Sequence, residues 1–110
     1  MGQTHRELLK GSLDLLLLAL LESGPLYGYQ IVKELRARTE EVLQIKEGSL
    51  SPALHRLEAA GLLESYWEPR EDGASRRYYR LSATGRAALP TRRAEWQRFT
   101  AAVAGVVGHG

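Results

Sequence analysis

The sequence predicts a mainly α fold with a small β-hairpin, an α+β chain built as one domain, and three observations carry that prediction. Apolar residues recur at helical spacing in successive stretches up to residue 60. Immediately after Gly61 the apolar period changes to two, in a pair of runs separated by a tip rich in Pro, Asp and Gly. A long helical pattern then closes the chain, which at 110 residues has room for one core burying roughly 60 to 70 % of the unfolded surface.

Ser12 is positioned as the N-cap of a first helix running to about Glu22, with Leu13, Leu16, Leu17 and Leu20 on its core face. Leu15, Leu18 and Leu21 make it apolar on nearly every side, so it belongs in the middle of the domain or also touches a partner. The run Leu15 to Leu21 is far short of the roughly 20 residues that span a membrane. Glu7 and Asp14 interrupt any signal-peptide pattern, which leaves a cytoplasmic protein with no membrane partner as the expectation. Ser23, Gly24 and Pro25 stop the helix. A second helix is expected from Tyr27 to about Arg38, with Tyr27, Ile31, Leu35 and Val32 inward; Gly28 near its start points to a close approach by a neighbour. Between Thr39 and Glu47, Leu43 and Ile45 alternate with Gln44 and Lys46, the pattern of a very short strand.

Gly48 to Gly61 carries a start signal and a stop signal. Ser49 can cap a helix, Pro52 suits its first turn, and Gly61 can take the positive φ that often follows a last turn. Leu50, Ala53, Leu54 and Leu57 form an apolar stripe, and Ser51, His55, Arg56 and Glu58 face the other way. Such a polar face is either solvated or reads base edges and phosphates in a major groove wide enough for one helix. In the strands that follow, Leu63, Ser65 and Trp67 share a face opposite Glu64, Tyr66 and Glu68, and after the tip Arg77, Tyr79 and Leu81 lie opposite Arg76, Tyr78 and Arg80.

The order helix, helix, short strand, helix, strand, tip, strand is that of a winged helix-turn-helix, here residues 1–81. In that arrangement the third helix enters the major groove and the hairpin lies along a backbone or minor groove. Arg70, Arg76 and Arg77 stand where such a wing needs positive charge. Ser82 caps a last helix, residues 82–110, expected to kink or break at Pro90. Beyond it Trp96, Phe99, Val103 and Val107 keep to one side. A small domain has little core left for that stripe, so pairing with the same helix of a second copy is the economical solution, and a two-fold homodimer suits a palindromic operator in double-stranded DNA.

Composition narrows the alternatives. The formal net charge is only +2, yet residues 64–110 hold eight basic side chains, all arginine, against five acidic ones. Arginine forks onto phosphate and guanine. Cysteine is absent, and His5, His55 and His109 fall at no metal-ligand spacing, while no phosphate loop or nucleophile motif is present. No catalytic activity, metal or cofactor is therefore expected. A winged helix serving as a protein-interaction or RNA-binding module, without specific DNA binding, remains the alternative.

The motifs together resemble the PadR family of bacterial transcription regulators over about Leu9 to Leu89. Gly11-Ser12-Leu13 leads the leucine-rich helix, and Gly24-Pro25-Leu26-Tyr27-Gly28-Tyr29 opens the next. Glu47-Gly48-Ser49-Leu50 precedes Pro52-Ala53-Leu54-His55-Arg56-Leu57-Glu58 and Gly61-Leu62, and Arg77-Tyr78-Tyr79-Arg80-Leu81-Ser82 is followed by Gly85. The resemblance implies a dimeric winged-helix repressor with Ser49, Pro52, His55 and Arg56 near DNA. Lys10, Tyr27 and Gln30 would be supporting phosphate contacts, Arg76 and Arg77 would belong to the wing, and the helix from Ser82 would be the dimer element. Ser51, on the polar face, stands where the family usually has tyrosine, so a large aromatic near the phosphate backbone is lost. Pro90 stands where the family's last helix is normally continuous. Some short members bind flat aromatic or drug-like molecules between subunits against a tryptophan of that helix, which Trp96 resembles in placement. Trp96, Phe99 and Val103 are then either the lining of a site for a small hydrophobic effector that releases the repressor or only interface core.

Overall fold

Eight consecutive residues of the leucine-rich stretch, Leu13–Leu20, form α1, and a single 3-10 turn, Leu21–Ser23, brings it to the stop at Gly24. The computed structural model describes residues 12–108, so Lys10 lies outside the described residues. β1 (Leu26–Tyr27) leads into α2 (Gly28–Arg38), and α3 (Glu47–Ala59) completes the helix-turn-helix. β2 (Leu63–Pro69) and β3 (Ser75–Leu81) make the hairpin, and α4 (Ala83–Val107) ends the described chain. No helix among the described residues is long and apolar enough to cross a membrane.

Burial follows the apolar patterns. Leu17, Leu18 and Leu21 are wholly buried at the centre, as an all-round apolar helix requires, and Ile31 and Leu35 of α2 and Leu50, Leu54 and Leu57 of α3 close on them. Leu63, Tyr79 and Leu81 cover one side from the sheet, and Leu89 anchors the first half of α4. Gly28 is closely approached, though by a side chain rather than by the backbone or phosphate its place suggests: a Cβ there would stand 2.8 Å from Glu47 Oε2, the mobile end of that side chain.

The sheet is antiparallel, in the order β1-β3-β2. Leu63 pairs with Leu81 and Tyr66 with Tyr78, so the alternation read from the sequence is the observed register. The third strand is not where the sequence suggested. Leu26 and Tyr27 pair with Tyr79 and Tyr78, whereas the stretch from Thr39 to Lys46 is a loop. Its backbone groups are satisfied locally: the Thr39 hydroxyl donates to the Leu35 carbonyl at 2.7 Å and accepts from the Leu43 N–H at 3.0 Å. Leu43 and Ile45 still pack on the core, which explains their spacing without a strand.

The start of α3 also departs from expectation. Lys46, not Ser49, is the N-cap, the helix begins at Glu47, and Pro52 is its sixth residue rather than part of the first turn. Gly61, at φ 80°, ends the connection as predicted. At the joint with α4, the Ser82 hydroxyl donates to the Gly61 carbonyl at 2.6 Å and accepts from the Gly85 N–H at 3.0 Å, and the Ser82 N–H reaches the Leu62 carbonyl at 3.1 Å.

α4 runs unbroken through Pro90, where a kink or break was expected. The proline deprives the Arg86 carbonyl of its partner, but both residues are exposed, so water can take the carbonyl. One turn on, Arg93 pairs with Glu22 at 2.7 Å and ties the helix back to the end of α1. That hydrogen bond holds the Glu22 carboxyl below its usual pKa; the tie is therefore present above the ordinary carboxylate range and is lost as pH falls through the lowered value.

Candidate nucleic-acid interface

The outward face of α3 is set by its apolar stripe. With Leu50, Ala53, Leu54 and Leu57 buried, Ser49, Pro52, His55 and Arg56 are exposed and Ser51 is half-buried at the edge. Arg56 forms an ion pair with Asp14 in the first turn of α1, joining the third helix to the first across the polar rim. Short hydroxyls, an imidazole and a guanidinium on about two turns of helix are the donors and acceptors that base edges and phosphates require.

Beside this helix the start of α2 and the hairpin build a second surface. Tyr27 is the N-cap of α2, and its N–H donates to Gln30 Oε1 at 3.1 Å, so what Gln30 can still offer outward is its amide NH2. The Arg76 guanidinium lies 4.3 Å from the Tyr27 ring centroid. Tyr78 meets Tyr27 edge-on at 5.3 Å and stacks on Tyr66 at 5.6 Å, with Arg80 above Tyr66 at 5.2 Å. One face of the sheet is thus an aromatic row carrying cations.

The wing tip is closed by an Asp-Gly turn. The Arg70 N–H donates to the Ala74 carbonyl at 2.8 Å, Asp72 Oδ1 accepts from the Ala74 N–H at 3.1 Å, and Gly73 takes φ 88°. Arg70 pairs with Asp72 at 3.0 Å. An open groove of about 520 Å³ runs beside the tip, with Glu68, Glu71 and Asp72 against Arg70 and Arg76, a mixed lining unlike a simple phosphate pocket.

Arg77 belongs to the opposite face. It donates to Glu58 Oε1 at 2.9 Å and, through Nε and Nη2, to Ser65 Oγ at 3.1 and 2.9 Å. The structure therefore brings Tyr27 and Arg76 together, leaves Ser49, Pro52, His55 and Arg56 on one exposed face, and engages Arg77 between helix and hairpin. Asp14, Glu58 and Ser65 were not candidates from the sequence. The pairs they make join residues 42, 19 and 12 positions apart, a separation that no local spacing rule detects. Trp96 and Phe99 stand 6.0 Å apart on the exposed second half of α4.

The sequence matches the transcriptional regulator PadR-like family over residues 17–91, which includes the helix-turn-helix and the hairpin. The chain belongs to that family. Its members are transcriptional regulators, not enzymes, in agreement with the absence of catalytic motifs in the sequence. The chain is 35 % identical over 105 residues to the transcriptional regulator Rv3488 of Mycobacterium tuberculosis, covering 94 % of each. It is similar in structure to a transcriptional regulator from Clostridium thermocellum, with a TM-score of 0.82 and 34 % identity over 92 % of this chain and 95 % of that one. Bacillus subtilis PadR, whose crystal structure holds operator DNA, is alike in fold, with a TM-score of 0.65 and 23 % identity over 72 % of this chain and 45 % of that protein.

Proposed function

We propose that this PadR-like chain is a cytoplasmic, homodimeric, sequence-specific DNA-binding repressor released by a small hydrophobic or aromatic effector. The observation that carries the DNA reading is the exposed face of α3, with Ser49, Ser51, Pro52, His55 and Arg56 at or beside it, next to the Tyr27–Arg76 platform. In this reading residues 1–81 are the DNA-binding unit and residues 82–110 the dimerisation helix. Arg56 and His55 read bases in the major groove, Ser49, Ser51 and Pro52 fit the helix start against the backbone, and Lys10, Tyr27, Gln30, Arg70 and Arg76 contact phosphates. The operator bound by Bacillus subtilis PadR supports the same mode for a shared fold. The apolar stripe of α4 supports pairing of two copies and hence a palindromic site.

The test is a titration against the DNA upstream of the chain's own reading frame and against duplexes enriched from a random pool, with an unrelated duplex as control, at two salt concentrations. Specific binding that weakens steeply with salt is expected, with a slope near −0.9 per phosphate neutralised. Arg56→Ala is expected to weaken specific binding by about 1 to 3 kcal/mol, leaving the unrelated duplex little changed. A second reading, a protein-interaction module, draws on the ion pairs that already occupy Arg56, Arg70, Arg77 and Arg80; failure to enrich any duplex would favour it.

The effector half of the proposal rests on Trp96 and Phe99, with Val103 on the same face of α4. In a Trp67→Phe background, planar hydrophobic dyes are expected to quench Trp96 and to loosen operator binding. Dyes that do neither would leave these side chains as interface core alone.

A further inference from the structure

We infer that Glu58, Ser65 and Arg77 form a brace fixing the wing against the recognition helix, and that Arg77 is a positioning residue rather than a phosphate contact. The inference rests on the DNA-binding reading and deepens it. Glu58 lies in the last turn of α3, Ser65 on β2 and Arg77 on β3, so the network ties the helix to both strands of the hairpin. Its donors and acceptors close on one another. The single Ser65 proton goes to Glu58 Oε2 at 2.6 Å, the Ser65 oxygen accepts from Arg77, and the other Glu58 oxygen takes Arg77 Nη2 at 2.9 Å. The Arg77 guanidinium also lies 5.5 Å from the Tyr79 ring centroid and 5.8 Å from that of Trp67.

The contrast with Arg76 decides the assignment. Arg76 is one residue away on the opposite face, over Tyr27, with no carboxylate in ion-pair distance among the described residues. Arg77 would have to leave two partners, and leave Glu58 unpaired beside a polyanion, before it could reach a phosphate. As a brace its place is apt, because past the pairing of β1 with Tyr78 and Tyr79 the hairpin is only two-stranded, and a two-stranded ribbon is at best marginally stable by itself. Beyond Leu63, Tyr79 and Leu81 the hairpin has little core to lean on: Trp67 is 64 % exposed. Where α3 and the wing must grip two parts of one duplex, fixing their separation beforehand spares the cost of ordering the wing on binding.

Glu58→Ala separates the two roles by sign. Simple electrostatics predicts that deleting a carboxylate near DNA tightens binding and frees Arg77 for phosphate. A brace predicts a loss, about three- to tenfold, for both Glu58→Ala and Arg77→Ala. The salt slope should stay that of the unaltered protein for both, whereas Arg76→Ala should lower it by about one. The exchanged pair, Glu58→Arg with Arg77→Glu, should regain most of the affinity, which no phosphate contact at position 77 allows. Tighter binding by Glu58→Ala, or a slope lowered by about one in Arg77→Ala, overturns the inference. Hydrogen exchange in the absence of DNA tests the brace independently: tip amides from Glu68 to Ser75 should exchange faster in Glu58→Ala, and unchanged exchange overturns it. If the unaltered protein binds no specific duplex, the DNA reading fails and the exchange result still decides the brace.

Discussion

Gly85→Ala is expected to destabilise the fold by about 3 kcal/mol or more, although alanine is the better helix former by roughly 1 kcal/mol. A Cβ at Gly85 would stand 2.0 Å from the Leu62 carbonyl oxygen and 3.0 Å from its carbon. Ordinary contacts are about 3.5 Å, so the first turn of α4 would have to move by more than 1 Å away from the turn joining α3 to β2. Both sides of that contact are backbone, which has no rotamer by which to yield. The movement breaks the hydrogen bonds of Ser82 to the Gly61 and Leu62 carbonyls and draws Leu89, 1 % exposed, out of the core. Denaturant unfolding of Gly85→Ala beside Gly105→Ala measures it, since Gly105 lies in the same helix with nothing within 4 Å of its missing Cβ. The second change is expected to be neutral or stabilising by up to about 1 kcal/mol. Similar behaviour of the two would mean that the α4 joint adapts freely.

The same joint shows what a single sequence discloses. Gly61 and Ser82 were legible because each answers a local demand, a positive φ after a helix and a cap before one. The faces of β2 and β3 were legible because period two is a property of any strand, and it already put Arg77 on one face with Tyr79 and Leu81, the face the structure turns inward. That Glu58 and Ser65 wait there was not legible, since it depends on how the hairpin folds back on α3. Leu26 and Tyr27 could not be recognised as a strand because their partners, Tyr79 and Tyr78, lie far along the sequence from them. Leu43 and Ile45 mimicked one because a loop packing alternate residues on a core carries the same signature. The start of α3 was misread through Ser49 for a related reason: Lys46 has no side-chain oxygen to announce a cap, and the better capping residue lies inside the helix.

On the proposed homodimeric reading, Phe99→Glu is expected to leave the protein monomeric and to lower its affinity for a two-half-site operator by about a hundredfold or more. Past Leu89, α4 leaves the core, and Trp96, Phe99, Val103 and Val107 follow one another along one side at 39, 58, 42 and 74 % exposure. Burying each such side chain is favourable by roughly 1.5 to 3 kcal/mol, and a two-fold axis uses each residue twice. A carboxylate in the middle of that stripe meets apolar side chains and, across the axis, its own copy, so both desolvation and repulsion oppose pairing. DNA binding falls with it because a second winged helix held on the same dimer binds at high effective concentration, which raises overall affinity by about 10²- to 10⁴-fold. Ala101→Glu is the control, a charge of the same sign on the opposite face of the same exposed helix. Sedimentation equilibrium should report monomer for the first and dimer for the second, and operator titrations should separate them in the same order. If Phe99→Glu remains a dimer with full affinity, the two copies meet elsewhere, and the place of Trp96 between subunits falls with the interface.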